Sequence, residues 1–212
     1  MEARPNRLRE RTVYQGNVFS VADMDIELAD GIVINRQVLR HPPVVVMLVH
    51  DVSTDRYLIE REYRCGSDSF AWGLPAGFMD EGEEPVTAAL RELNEETGVH
   101  DVRSHVRLIG SYYSSEGMSD ELAHIYGIDL EDWTMTATRF DKDEHVESCW
   151  LDWEHVTKLP ILSSNSVIAL QDERYRRRER ELNAITLTSM PPGPPSAIPV
   201  AQYRTVTHHN TA

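Results

Sequence analysis

The sequence predicts an α+β protein, and three features carry the prediction. Segments with loose apolar alternation open the chain, a continuous apolar run follows at Val44–Val49, and two stretches of helical periodicity come later. The length of 212 residues suits one domain with an added subdomain or tail, and 41% hydrophobic residues are enough to build a core.

Taken in order, Asn17 to Leu28 is rich in Val, Phe and Ile and reads as a strand, Ala29-Asp30-Gly31 as a turn, and Ile32 to Leu39 as a second strand. His41-Pro42-Pro43 punctuates the chain, so residues 1–42 are expected to form a small antiparallel β subdomain. Val44 to Val49 suits a buried strand, and Tyr57 to Arg61 is placed to pair with it across the polar loop Asp51 to Asp55. Arg107 to Tyr113, His124 to Leu130 and Val146 to Trp153 are further strands. Glu83 to Thr97 puts Val86, Ala89, Leu90 and Leu93 on one apolar stripe, with Pro85 in the first turn and Gly98 just past the end. A second helix spans about Asn165 to Leu182, and its charged run Arg174 to Glu181 reads as a solvated end. The main domain is thus residues 43–183. The Pro-rich tail, 184–212, is expected to have little regular structure.

A net charge of -14 argues against duplex nucleic acid as a partner, because that contact needs a basic face. A small phosphorylated ligand is admitted if cations bring it in. The two cysteines, Cys65 and Cys149, cannot make a disulfide framework and form no CxxC pair. No apolar run reaches the ~20 residues that span a bilayer, and Met1 to Glu10 is polar, so the expected location is cytoplasmic with no membrane partner.

Chemistry concentrates between Gly77 and Val99. Glu92 and Glu96 stand four apart on one predicted helix, so their carboxylates share a face, and Glu95 lies alongside. Like charges at this spacing repel. A divalent cation turns the repulsion into attraction, and carboxylate oxygens are the ligands Mg²⁺ and Mn²⁺ prefer. Glu83 adds charge at the helix start, and Arg91 is placed to neutralise or orient one of the glutamates.

The spacing matches G-x5-E-x7-R-E-U-x-E-E-x-G-U, with U a bulky aliphatic, at all nine specified positions over twenty-three residues. In this the sequence resembles the Nudix hydrolases. The resemblance implies a Nudix fold, an α/β/α sandwich with a mixed β-sheet, in which the box forms a loop-helix-loop. It also implies Mg²⁺ (Mn²⁺ as the alternative) held by Glu92 and Glu96, with Glu95 assisting and the Ala76 carbonyl completing the shell. Arg91 and Glu83 would hold the loop to the helix, Gly77 would permit a tight turn, and Gly98 would release the chain from the helix.

Outside the box, Asn17-Val18-Phe19, Asp30-Gly31, Arg40-His41-Pro42, Arg61-Glu62-Tyr63-Arg64, Leu74-Pro75-Ala76-Gly77 and Ser166-Val167-Ile168-Ala169-Leu170 are similar to segments of the ADP-ribose pyrophosphatases and related sugar-nucleotide hydrolases. That branch implies a homodimer with N-terminal strands near the partner's site. Arg64 and Arg40 are candidate diphosphate contacts, and Tyr14, Phe19 and Trp72 candidate base-stacking groups. The proton acceptor is expected in the loop Asp141 to Glu147, with Glu144 first, Asp143 and Glu147 behind it, and Glu121 as another carboxylate for base or metal. The branch's Ser-Pro-Gly segment reads Ser115-Glu116-Gly117 here, and Gly73 stands where a Glu is common. Glu116 therefore bears on which terminal group is accepted. The reading is hydrolysis of ADP-ribose or a similar nucleoside diphosphate sugar. The alternatives are a hydrolase of nucleoside triphosphates or dinucleoside polyphosphates, and a non-catalytic ADP-ribose sensor.

Overall fold

Three strands near the start of the chain, β1 (Asn6–Gln15), β2 (Ser20–Glu27) and β3 (Val33–Arg40), form an antiparallel sheet in the order β1-β2-β3. These positions come from a computed structural model, which describes residues 5–136 and 146–189. The β2–β3 turn closes with Leu28 N–H donating to the Ile32 carbonyl at 2.8 Å, and Gly31 takes φ 81° there. Only glycine adopts that backbone without penalty. The sequence reading missed β1, whose ten residues are all exposed and show no apolar alternation. Its pairing uses cross-strand charge instead: Arg9 reaches Asp25 at 2.7 Å and Asp23 at 3.0 Å.

The second sheet is mixed, as expected. β4 (Val44–Asp51), β5 (Arg56–Arg64), β6 (Ser69–Gly73), β7 (Ala76–Phe78), β8 (Val99–Tyr113), β9 (Leu122–Met135) and β10 (Val146–Asp152) make seven strands with the path β10-β5-β4-β9-β8. Among its described strands, only the neighbours β4 and β9 run parallel, from Val44↔Ala123 to Asp51↔Leu130. β4 is apolar throughout its first six residues because both faces are covered. Val45, Met47 and Val49 pack with Leu58 and Ile128 against Ala88, Ala89 and Leu93 of α1 (Pro85–Thr97). Val46 and Leu48 pack with Tyr57, Ile59 and Ile125 against Val156 of α2 (Trp153–Val156) and Ala169 of α3 (Ser164–Ser189). This is the expected sandwich.

The sheet parts in the middle. β4 and β5 pair only at His50↔Tyr57 and Asp51↔Arg56; beyond that β7 takes over the edge of β4, and β6 that of β5. The Leu74-Pro75 link between β6 and β7 fills the gap, with Leu74 buried and the Pro75 carbonyl accepting from Met47 N–H at 2.9 Å. At the closed end His50 is buried, stacked on Tyr57 at 4.6 Å, and bonded through Nδ1 to Asp129 (3.1 Å) and Nε2 to Asp55 (3.0 Å).

Several expectations need correction. Val86 is exposed; the buried stripe of α1 is Ala88, Ala89, Leu93 and Thr97, because the helix meets the sheet through its small residues. The short β6, β7 and α2 have too few residues to show a period. α3 runs on to Ser189, past the expected end at Leu182. Residues Met1–Arg174 form one compact unit holding every described strand, and Tyr175–Ala212 a second, of which the described part is the α3 segment 175–189. Among the described residues, no helix is long and apolar enough to cross a membrane.

Candidate active site

The segment from Phe78, at the end of β7, to Glu84 is joined to α1 by one side chain. Glu84 caps the helix through its backbone alone, Pro85 opens it, and Gly98 closes it at φ 71° with its N–H on the Asn94 carbonyl. Arg91 donates from Nε (3.0 Å) and Nη2 (2.8 Å) to the two oxygens of Glu83, and from Nη2 to the Phe78 carbonyl at 2.9 Å. Such a fork is the strongest ion-pair geometry available to a carboxylate. The Arg91 bond, with the Asp80 amide behind it, holds the Glu83 carboxyl down to about 2. Glu83 in turn is the main cause that raises the Arg91 guanidinium above its ordinary value.

The remaining Arg91 nitrogen, Nη1, takes Glu92 at 2.7 Å and Glu95 at 3.0 Å. Glu96 accepts from the Ala76 amide at 3.2 Å and Glu92 crowds Gly77, so these helix carboxylates converge on the start of β7. Gly77 corrects an expectation. Its φ is not positive, so turn geometry does not require glycine. A Cβ there would stand 2.1 Å from Glu92 Cδ, so a larger residue would push the carboxylate away from its place. The groups that could hold a metal, three carboxylates and one carbonyl, all offer oxygen, which fits a hard divalent cation in kind. Among the described residues no three His, Cys, Asp or Glu side chains are already grouped for a metal, since Arg91 and the Ala76 amide hold these ones.

A cleft of about 1190 Å³ opens where the sheet parts. Among the described residues it is lined by six carboxylates, of Glu60, Glu62, Glu92, Glu95, Glu96 and Glu121, and by two guanidiniums, of Arg64 and Arg91. Both guanidiniums are already engaged, Arg64 with Glu62 at 2.8 Å and Arg91 as above.

A family model described as the NUDIX domain matches residues 39–170. The chain belongs to the Nudix family. An ADP-ribose pyrophosphatase of Bacillus subtilis is 31% identical over 157 residues, 72% of this chain and 83% of that protein. A CMP-5'-(N-acetyl-N-hydroxy-3-aminopropyl)phosphonate hydrolase of Streptomyces rubellomurinus is 31% identical over 150 residues, 71% of this chain and 70% of that one. A crystal structure of an ADP compounds hydrolase superposes with TM-score 0.71 at 21% identity, covering 85% of this chain and 97% of the other, which establishes the shared fold. This Nudix protein is a pyrophosphohydrolase of the ADP-ribose pyrophosphatase-like branch.

The Nudix cleft gathers some of the residues singled out by sequence and leaves others aside. Ala76, Arg91, Glu92, Glu95, Glu96, Arg64, Trp72 and Glu121 line it. Arg40 is not among the lining residues; its guanidinium bonds Glu10 at 2.7 Å and Asp120 at 2.9 Å. Phe19 packs on Tyr14, 5.8 Å between ring centres, and Glu116 is exposed on a turn away from the lining. Glu147 is exposed beside Arg61 at 3.5 Å. Glu144, Asp141, Asp143 and His145 lie outside the described residues.

Sequence reasoning missed Glu60, His41 and Phe78 of the Nudix cleft. Glu60 carried a usable signal: a carboxylate ending the apolar run Tyr57-Leu58-Ile59 inside a strand, now buried at 6% exposure in the cleft wall. His41 and Phe78 carried none, because their rings meet (5.5 Å) only after β7 docks on β4.

Proposed function

We propose that this Nudix hydrolase cleaves the diphosphate linkage of ADP-ribose or a similar nucleoside diphosphate sugar, releasing a nucleoside monophosphate and a sugar phosphate. The carrying observation is the charge of the cleft: among the described residues, six carboxylates face two guanidiniums that are already paired. An anionic diphosphate entering alone would be repelled, so cations must accompany it. Glu92, Glu96 and the Ala76 carbonyl would hold Mg²⁺ or Mn²⁺, with Glu95 assisting. The ion, when bound, supplies charge neutralisation at the phosphate oxygens and a water of lowered pKa.

The protein's own groups do the rest. Arg91 holds the loop to α1 and keeps Glu92 and Glu95 turned toward one another. Arg64 offers a diphosphate contact on exchanging its bond to Glu62. Glu121 is the described carboxylate outside the box helix that best suits the role of proton acceptor, and Glu144 is its competitor. Water's oxygen bonds to one phosphorus, the bridging P–O bond breaks toward the other phosphate, and the water proton passes to the acceptor. The similarity to an ADP-ribose pyrophosphatase and to a hydrolase of a CMP conjugate supports a nucleoside diphosphate derivative over a triphosphate.

The test is a panel of ADP-ribose, ADP-glucose, GDP-mannose, NADH, CDP-choline, diadenosine polyphosphate and dGTP, each with Mg²⁺, followed by phosphatase and phosphate release. Fastest turnover of ADP-ribose or another sugar conjugate is expected. Preference for dGTP or the dinucleotide would overturn the substrate assignment, and tight ADP-ribose binding with no turnover would replace hydrolysis by sensing. We also propose a homodimer built through the N-terminal sheet, whose β1 exposes Leu8, Val13 and Tyr14. Sedimentation should give twice the 24.2 kDa chain mass; a monomer at micromolar concentration would sink it.

A further inference from the structure

Arg40, outside the cleft, and Glu121, inside it, are connected through a single side chain. Asp120 takes Arg40 Nη1 on Oδ2 at 2.9 Å and the His41 backbone N–H on Oδ1 at 2.9 Å. Its own N–H donates to the Leu39 carbonyl at 3.1 Å, and the Leu39 N–H donates to Met118 at 2.8 Å. Leu39 and Ser119 thus form a short parallel bridge that ends at Asp120. Burial would raise the Asp120 carboxyl, but the His41 amide and Arg40 prevail and keep it below its ordinary value, so it is ionised in this setting. Arg40 is anchored on its far side by Glu10 of β1, at 2.7 Å.

The residue after this clamp is Glu121. Its Oε1 accepts from Ser114 Oγ at 2.5 Å, and its Oε2 lies 3.4 Å from His41 Nδ1, which donates to the Pro42 carbonyl at 2.8 Å. The His41 ring leans on Phe78, next to Gly77 of the box. Asp120 therefore fixes both sides of the His41–Glu121 contact: the histidine through its backbone amide, the glutamate through the adjacent peptide.

We propose that Asp120, braced by Arg40, is a positioning residue that sets the Glu121 carboxylate in the cleft opposite the box glutamates. This makes the N-terminal sheet part of the catalytic apparatus, with Arg40 serving the reaction through Asp120 and not through the substrate. The proposal rests on the reading of Glu121 as the proton-accepting carboxylate. A displaced carboxylate binds substrate no worse but reacts more slowly, so the effect belongs in kcat.

The test compares Asp120→Ala, Asp120→Asn, Glu121→Gln and the double variant Asp120→Ala/Glu121→Gln, with Mg²⁺ and the fastest substrate of the panel above. Asp120→Ala should lower kcat by about ten- to a hundredfold while KM stays within about threefold. Asp120→Asn should recover part of the loss, since its amide oxygen still accepts from His41. The double variant should be no slower than Glu121→Gln, because removing the positioned group cancels the benefit of positioning it. If Asp120→Ala fails to unfold cooperatively, Asp120→Asn alone and with Glu121→Gln carries the same comparison. Losses that multiply in the double variant, or wild-type kcat in Asp120→Ala beside a slow Glu121→Gln, would overturn the proposal. Wild-type turnover in Glu121→Gln would overturn it too while leaving the hydrolase assignment standing. Absence of turnover by the wild type on every panel member would instead bring down the assignment itself.

Discussion

Gly77 and Glu96 show how much depends on single atoms at the start of β7. A methyl group at Gly77 would meet Glu92 Cδ at 2.1 Å, so the carboxylate would have to swing away. The end of a glutamate side chain moves at little cost, and the backbone at Gly77 is one that alanine adopts. Gly77→Ala should therefore cost activity far more than stability: a fall in kcat of about tenfold or more, with the thermal midpoint nearly unchanged. Equal damage to both would show that the close approach is only packing. Glu96→Gln keeps an acceptor for the Ala76 amide (3.2 Å) but loses the charge. Turnover should drop by about two orders of magnitude or more with the fold intact; wild-type rates in this variant would remove Glu96 from the metal site.

At the scale of the element, the box is a loop tied to a helix by the Arg91–Glu83 fork. The carboxyl of Glu83 ionises more readily in the folded chain, at about 2 against an ordinary 4.5. The pair's contribution to stability is therefore complete above pH ~4.5 and is lost as pH falls toward ~2. Thermal midpoints of wild type and Glu83→Gln should differ most above that window and converge below it. A constant gap across the acid range would mean that the fork contributes shape alone. Much of this element was legible beforehand, because Pro85, Gly98 and the glutamate spacing act within one helix. The apolar stripe was read partly wrongly: periodicity marks a helical face, but Val86, in the first turn, is exposed.

At the scale of the molecule, the sheet is closed at one end and parted at the other, and the closed end carries His50. Burial alone would lower its imidazole, but the bonds to Asp129 and Asp55 prevail and raise it. A histidine charged more readily when folded stabilises fully below its unfolded value near 6.5, and that stability is lost as pH rises through the raised folded value. Wild type should lose thermal stability relative to His50→Gln as pH rises above about 6.5. An unchanged difference over that range would mean that the ring is neutral throughout. The cleft sits at the far, parted end, so this titration should leave KM unaffected.

The residues alone established the family pattern, the box helix with its caps, the central apolar strand and the oxygen-donor set, because each depends on neighbours a few positions away. Folding decided the rest. The ten-residue β1 exists only as a partner for β2, with no apolar period of its own. Arg40 has the charge of a diphosphate ligand, yet Asp120, eighty residues away, claims it. The cleft's excess of carboxylates arises because β5, α1 and the segment before β9 meet where the sheet parts. Spacing along a chain reports which side chains share a helix or a strand face, but convergence of distant segments depends on strand order and on where pairing stops.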